Sequence, residues 1–171
     1  VAGRRVLDVG CGAGALMVAL RERGAFVTGV DSSVRMLELA RERLGDDAAL
    51  HAADLSRPLP FADGAFDDVI ACLVLHYLED WAAPLAELRR VLVPGGRLVV
   101  AVNHPFVRKL ADSEADYFAT HAWSEKYTLG VQRVVVSEPA PAPGAREVFP
   151  EVAGMGSEAF LCFLFFVLEA V

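Results

Sequence analysis

The residues best suited to chemistry lie close together near the start of the chain. Gly10, Gly12 and Gly14 alternate with small residues in "VLDVGCGAGALMVAL", Val6 to Leu20, between an aliphatic run and an apolar-periodic one. A backbone this bare lets a ligand lie against it. Gly10-x-Gly12-x-x-Ala15 satisfies the dinucleotide fingerprint in its G/A form and so fits a phosphate cradle. The same glycines fit a seat for a sulfonium cofactor with no phosphate, and a tight strand-to-helix turn alone would also use them. Asp8 separates the first two readings. It lies two residues before Gly10 in an otherwise aliphatic strand, where a carboxylate would repel a pyrophosphate and suit a cation. It could equally brace the glycine loop by hydrogen bonds. Asp31 and Asp54 close the next two apolar segments, "AFVTGVD" and "ALHAAD". One carboxylate can accept from both vicinal hydroxyls of a ribose, a use shared by NAD enzymes, so Asp31 does not discriminate. For Asp54 the plain alternative is a loop-capping aspartate.

Elements of a particular kind must bring these residues together. "RRVLDVG" reads as a short buried strand and Gly14–Gly24 as a helix with Leu16, Met17 and Leu20 on one face and Gly24 as C-cap. A second strand ends at Asp31, and Ser32 or Ser33 caps a helix with Leu37, Ala40 and Leu44 inward. A third strand ends at Asp54, the loop "LSRPLPFADGA" follows, and "FDDVIACL" is a fourth strand. "WAAPLAELRRVL" reads as a helix with Pro84 in its first turn and Leu85, Leu88, Val91 and Leu92 inward. "VPGG" then makes a sharp stop before the strand "RLVVAVN". Strands alternating with helices imply βαβ units and a mostly parallel sheet. Right-handed crossovers put every strand's C-terminal end along one edge, where open α/β sheets bind ligands. The expectation is a Rossmann-like, mostly parallel twisted α/β sheet with helices on both faces and an antiparallel C-terminal strand.

Bulk properties narrow the partners. The 171 residues suffice for one domain with a real core, and 54% hydrophobic content makes it globular. A net charge of -7 with no basic stripe argues against nucleic acid; Arg35 to Arg43 interleave with Glu38 and Glu42 as a solvated helix face. Cys11, Cys72 and Cys162 show no metal or disulfide spacing, so buried thiols in a reducing, cytoplasmic compartment are expected, and no metal. "AFLCFLFFVL", Ala159–Leu168, is too short to span a bilayer and reads as a strand buried on both faces. The chain opens on Val1 almost directly in a strand, so an N-terminal segment is expected to precede it.

"VLDVGCGAG" resembles the first motif of the S-adenosylmethionine-dependent methyltransferases of Rossmann-like fold. The resemblance continues, in order and spacing, through "VTGVDSSVRMLELA", "HAADLSRPLPFADGAFDDVIACLVLHYLED" and "LRRVLVPGGRLVVAVNHP", covering roughly residues 4 to 106. It implies S-adenosylmethionine as cofactor, S-adenosylhomocysteine as product and a small-molecule acceptor with an O, N, S or C nucleophile. It implies that Asp8, Gly10, Cys11, Gly12 and Gly14 seat the methionine end, with the ligand carboxylate on backbone N–H groups at the helix N-terminus. Asp31, with Ser32 beside it, matches the acid that pairs the ribose hydroxyls. Asp54 matches the acid that accepts from the adenine amino group, with Leu55 beside it. Met36 matches a position packing on the adenine side and could equally be core. Cys72 and Leu73, with Leu75, follow the fourth strand beside the methionine arm.

His76 and His104 are the catalytic candidates, with Tyr77, because a histidine can orient or deprotonate an acceptor near neutral pH. His76 could instead only line the pocket. Asn103 and His104 could touch substrate or form the turn before Pro105. After residue 106 the chain departs from the pattern. Lys109 to Trp123 reads as a helix anchored by Leu110, Tyr117, Phe118 and Trp123; with Tyr127 it resembles an aromatic lid. "VVVSEPAP" resembles the sixth strand and the loop after it, yet the helix before it is absent. Either residues are missing at Gly130–Val131, or the Lys109–Trp123 helix is the crossover. The expected organisation is a single methyltransferase domain over 1–171 without its N-terminal helices. The rival functions are a non-catalytic cofactor-binding module and an NAD(P)-dependent oxidoreductase; the latter leaves Asp8, Asp54 and "PGG" unexplained.

Overall fold

The computed structural model describes residues 1–103, 122–125, 134–137 and 163–170, with backbone alone for Asn103, 122–125, 134–137 and 163–166. The chain divides into two compact units, Val1–Val102 with Phe165–Val171, and Asn103–Leu164.

In the first unit β1 (Arg5–Val9), β2 (Phe26–Asp31), β3 (Ala49–Ala52), β4 (Phe66–Cys72), β5 (Leu92–Asn103) and β8 (Phe163–Glu169) form one sheet in the order β3-β2-β1-β4-β5-β8. The pairs β1–β2, β2–β3, β1–β4 and β4–β5 are parallel. β8 runs antiparallel, its end fixed by Gly95 N donating to Ala170 O and Ala170 N to Gly96 O, both at 2.8 Å. The mostly parallel, Rossmann-like sheet is as expected. α1 (Ala15–Glu22) joins β1 to β2 and α2 (Val34–Leu44) joins β2 to β3, while α3 (Ala82–Val91) joins β4 to β5 on the other side of β1. Right-handed crossovers running in opposite directions along a sheet put their helices on opposite faces.

Central β1 is covered on both sides, which explains its aliphatic run. Val6, Leu7 and Val9 have no exposed surface. Val6 packs with Leu20 and Ala25; Met17 packs with Cys11 and Leu37. Ser33, not Ser32, caps α2, its side chain accepting from Met36 N at 3.3 Å. Pro84 sits buried in the first turn of α3, where no helical N–H is lost.

Several expectations change: β3 ends at Ala52, so Asp54 lies in the loop two residues beyond it. "VPGG" does not separate α3 from the next strand: β5 already begins at Leu92. From Phe66↔Leu92 to Asp68↔Arg97, β4 advances two residues while β5 advances five. "PGG" is therefore a bulge, held by β4 on one side and Ala170 on the other. In the second unit, Trp123 does not end a helix but lies in β6 (Ala122–Glu125). β6 pairs antiparallel with β7 (Val134–Ser137), Trp123 opposite Val136. Aromatic and β-branched residues suit such a ladder, and antiparallel strands require no crossover helix. The rest of the expected Lys109–Trp123 helix lies outside the described residues. No helix among the described residues is long and apolar enough to cross a membrane.

Candidate functional site

The parallel sheet delivers the ends of β1, β2, β3 and β4 to one edge, and strand order reverses between β1 and β4. A crevice forms at such a switch point because the connections leave it in opposite directions. The glycine loop sits there, fixed by main-chain bonds. Gly10 N and Cys11 N both donate to Val30 O, at 2.8 and 3.0 Å. Gly12 N donates to Asp31 Oδ2 at 2.9 Å, and Ser33 N donates to Asp31 Oδ1 at 2.8 Å. Asp31 thus ties the glycine loop to the turn that starts α2, and is itself partly exposed.

Two glycines do different things. Gly10 has φ 69°, and a Cβ there would lie 2.5 Å from Val74 Cγ2, so protein fills the space before it. Gly12 has φ 53°, and a Cβ there would meet nothing within 4 Å. Its bare face is where a ligand could approach. α1 follows with Gly14 as N-cap and no side-chain cap bond, so its first N–H groups are without a capping side chain.

Asp8 lies under this loop, between Gly29 of β2 and Ile70 of β4. It is only 2% exposed, and its Oδ2 is buried with no hydrogen-bond partner. Burial above all, and then the nearby Asp31 charge, push its carboxyl up to about 7. The bracing role open to Asp8 in the sequence is performed by Asp31. Asp54 is exposed and accepts from Ser56 N and Ser56 Oγ at 2.9 and 2.8 Å through Oδ1. These bonds, the backbone one foremost, hold its carboxyl below the ordinary value. The loop-capping geometry is present, with Oδ2 making no bond among the described residues.

The remaining candidates fall into three groups. Cys11 is buried, and burial with the Asp8 and Asp31 charges pushes its thiol up to about 12, which makes it a packed neutral thiol. Ser32, Met36, Cys72 and Leu73 are exposed and Leu55 is half-buried. Leu73 has φ 56°, a strained backbone for a leucine. That strain has no sequence signature, since a glycine would be the usual resident. His76 lies in the single 3-10 turn Leu75–Tyr77, its ring 4.5 Å from that of Tyr77. Its Nδ1 is buried without a partner, and burial pulls its pKa below the ordinary value. His104 and the Asn103 side chain lie outside the described residues.

Glu87 and Arg90 of α3 clamp the loop between β3 and β4. Arg90 of α3 donates to Phe61 O and Asp63 Oδ1 at 2.9 and 2.6 Å, and Glu87 Oε1 accepts from Leu59 N at 2.7 Å. Glu87 and Arg90 pair across one helical turn. The i,i+3 spacing was readable as a surface pair; its grip on the loop that starts at Asp54 was not.

Fold and site together define a Rossmann-like α/β domain with a glycine loop at the carboxyl edge of its sheet. The methyltransferase domain family matches residues 7–100, more than half of the chain. The chain belongs to that methyltransferase domain family. It is 41% identical over 105 residues to a demethylmenaquinone methyltransferase from Tropheryma whipplei, a match covering 61% of this chain and 44% of the relative. The S-adenosylmethionine-dependent methyltransferase from Mesorhizobium loti is 32% identical with TM-score 0.58, over 81% of this chain and 58% of that one. One from Listeria monocytogenes shares the fold at 20% identity and TM-score 0.73, over 99% and 91% of the two chains. The chain spans less than half the length of the curated relatives it matches.

Proposed function

We propose that the chain binds S-adenosylmethionine at the glycine loop and serves methyl transfer to a small-molecule nucleophile in the cytoplasm. The observation that carries this reading is Asp8: a buried carboxylate with an unpartnered oxygen beneath a loop open at Gly12. A pyrophosphate would oppose ionisation of Asp8, whereas a ligand with positive groups supplies the partner its unpaired oxygen lacks. S-adenosylmethionine, when bound, supplies an activated methyl group on a sulfonium.

The chain's own residues supply position. The uncapped N–H groups of α1 donate to the ligand carboxylate. Asp31 keeps lone pairs for the ribose hydroxyls, since each of its oxygens accepts one backbone bond and can take another. Asp54 offers its Oδ2 to the adenine amino group, with Leu55 and Met36 against the ring. Cys72 and Leu73 flank the methionine arm. Alignment of acceptor and methyl carries most of the rate, with effective molarities on the order of 10⁵ M or more. His76 is the candidate base, because burial keeps its imidazole neutral and able to accept a proton from an acceptor; His104 is the second.

The test is turnover. Incubation with S-adenosylmethionine and a panel of small acceptors headed by demethylmenaquinone should yield S-adenosylhomocysteine and a product one methylene heavier by mass. Cofactor binding with no product from any acceptor favours the non-catalytic module instead.

A further inference from the structure

Among the described residues, Asp8 has no partner to offset a charge. Its neighbours on β2 and β4 are Gly29 and Ile70, and neither strand contains a basic residue. The titratable groups that share its field are acids: Asp31 at the end of β2, the Cys11 thiol in the loop and the Cys72 thiol at the end of β4. α1 turns Met17 and Leu20 inward, while its Arg21 and Arg23 bind the carbonyls of Leu44 and Ala19. α2 turns Leu37 and Ala40 inward, and its Arg43 binds Ala13 O. His76, on the turn after β4, makes no hydrogen bond through its buried Nδ1.

A carboxylate in such a place is costly, and protonation is the way to remove the charge. We infer that Asp8 carries a proton in the free protein and releases it to solvent when a cationic ligand seats over the glycine loop, so that cofactor binding is proton-coupled. This rests on the cofactor reading above. One O–H bond is broken, the proton leaves to buffer, and the carboxylate that remains is neutralised by the ligand cation. Affinity therefore rises with pH through the acidic range and levels off near neutrality. The sign follows because the bound state holds fewer protons than the free one. The same linkage makes the vacant site overall less charged, which keeps Asp8 and Asp31 from repelling one another before the ligand arrives.

The experiment is calorimetric titration of the chain with S-adenosylmethionine in two buffers of different ionisation enthalpy, across the acid side of neutrality. Below about pH 6.5 the expected result is release of close to one proton per ligand and affinity falling close to tenfold per pH unit. Asp8→Asn, which cannot titrate there, should bind more weakly and with no proton release. The carboxyl carbon resonance of Asp8 in the ligand-free chain should titrate near neutrality and move to the acid range on adding S-adenosylmethionine. This wild-type measurement stands even if the variant does not fold. Tight binding with no proton exchange, or an Asp8 resonance that titrates near the ordinary aspartate range in the free chain, overturns the inference and leaves the cofactor reading intact. No binding at any pH overturns the cofactor reading, whatever the resonance does.

Discussion

The two acids that frame the glycine loop have opposite environments. Asp31 has a backbone N–H on each oxygen and stays partly exposed. Asp8 is buried with an unpartnered oxygen. Its carboxyl moves from an ordinary 3.8 to about 7 in the folded chain. Between those values the folded state holds one more proton than the unfolded state, so stability falls as pH rises. The slope is up to about 1.4 kcal/mol per pH unit. Urea unfolding of the ligand-free chain should therefore show a lower midpoint at about pH 8 than at about pH 5. Asp8→Asn should remove the fall and leave the opposite trend of His76, whose burial adds stability as pH rises; the same pH dependence in wild type and variant would show that Asp8 ionises freely. The carboxyls that sit low when folded, Asp67 at about 2, Asp54, Asp68 and Glu87, act elsewhere. Their stabilisation is present above the ordinary carboxylate value and is lost only as pH falls below it.

The glycine loop is one element with two differently constrained glycines. Gly10→Ala puts a methyl 2.5 Å from Val74 Cγ2 and strains a left-handed backbone. Strain and overpacking together should cost roughly 2–4 kcal/mol of stability. Gly12→Ala meets no protein atom within 4 Å. Strain alone should cost about 1–2 kcal/mol there, while the methyl enters the ligand's space and weakens S-adenosylhomocysteine binding by roughly tenfold or more. Denaturant unfolding and calorimetry on the two variants separate these effects. Equal losses of both properties in both variants would mean that the loop is only a turn.

At the scale of the whole molecule the two edges of the sheet differ in charge. On the edge away from the glycine loop, acids are matched. Asp68 binds Arg4 and Arg97, and Asp67 binds Arg5. On the loop edge, Asp8, Asp31 and Asp54 have no ion pair among the described residues. One edge is closed by ion pairs, and the other carries acids without a cationic partner among the described residues. Much of this was readable from residue order. Alternating strands and helices dictated the parallel sheet, and parallel strands dictated that Gly12, Asp31 and Asp54 share an edge. What escaped depended on partners distant in sequence. Only β4 and Ala170 together show that "PGG" is a bulge rather than a stop. Only the fold brings Gly12 N to Asp31, which moves the bracing role from one aspartate to another. Trp123 read as helical from aromatic spacing, and its strand exists through pairing with β7.

The proposed ligand of this edge is a phosphate-free nucleoside bearing an ammonium group, which S-adenosylmethionine and S-adenosylhomocysteine share. Calorimetric titration of the chain with S-adenosylhomocysteine, with NAD as the comparison, tests this proposal most directly. Saturable binding of S-adenosylhomocysteine at one site per chain is expected, with no heat of binding for NAD. Binding of NAD in its place, or of neither, would contradict the proposal.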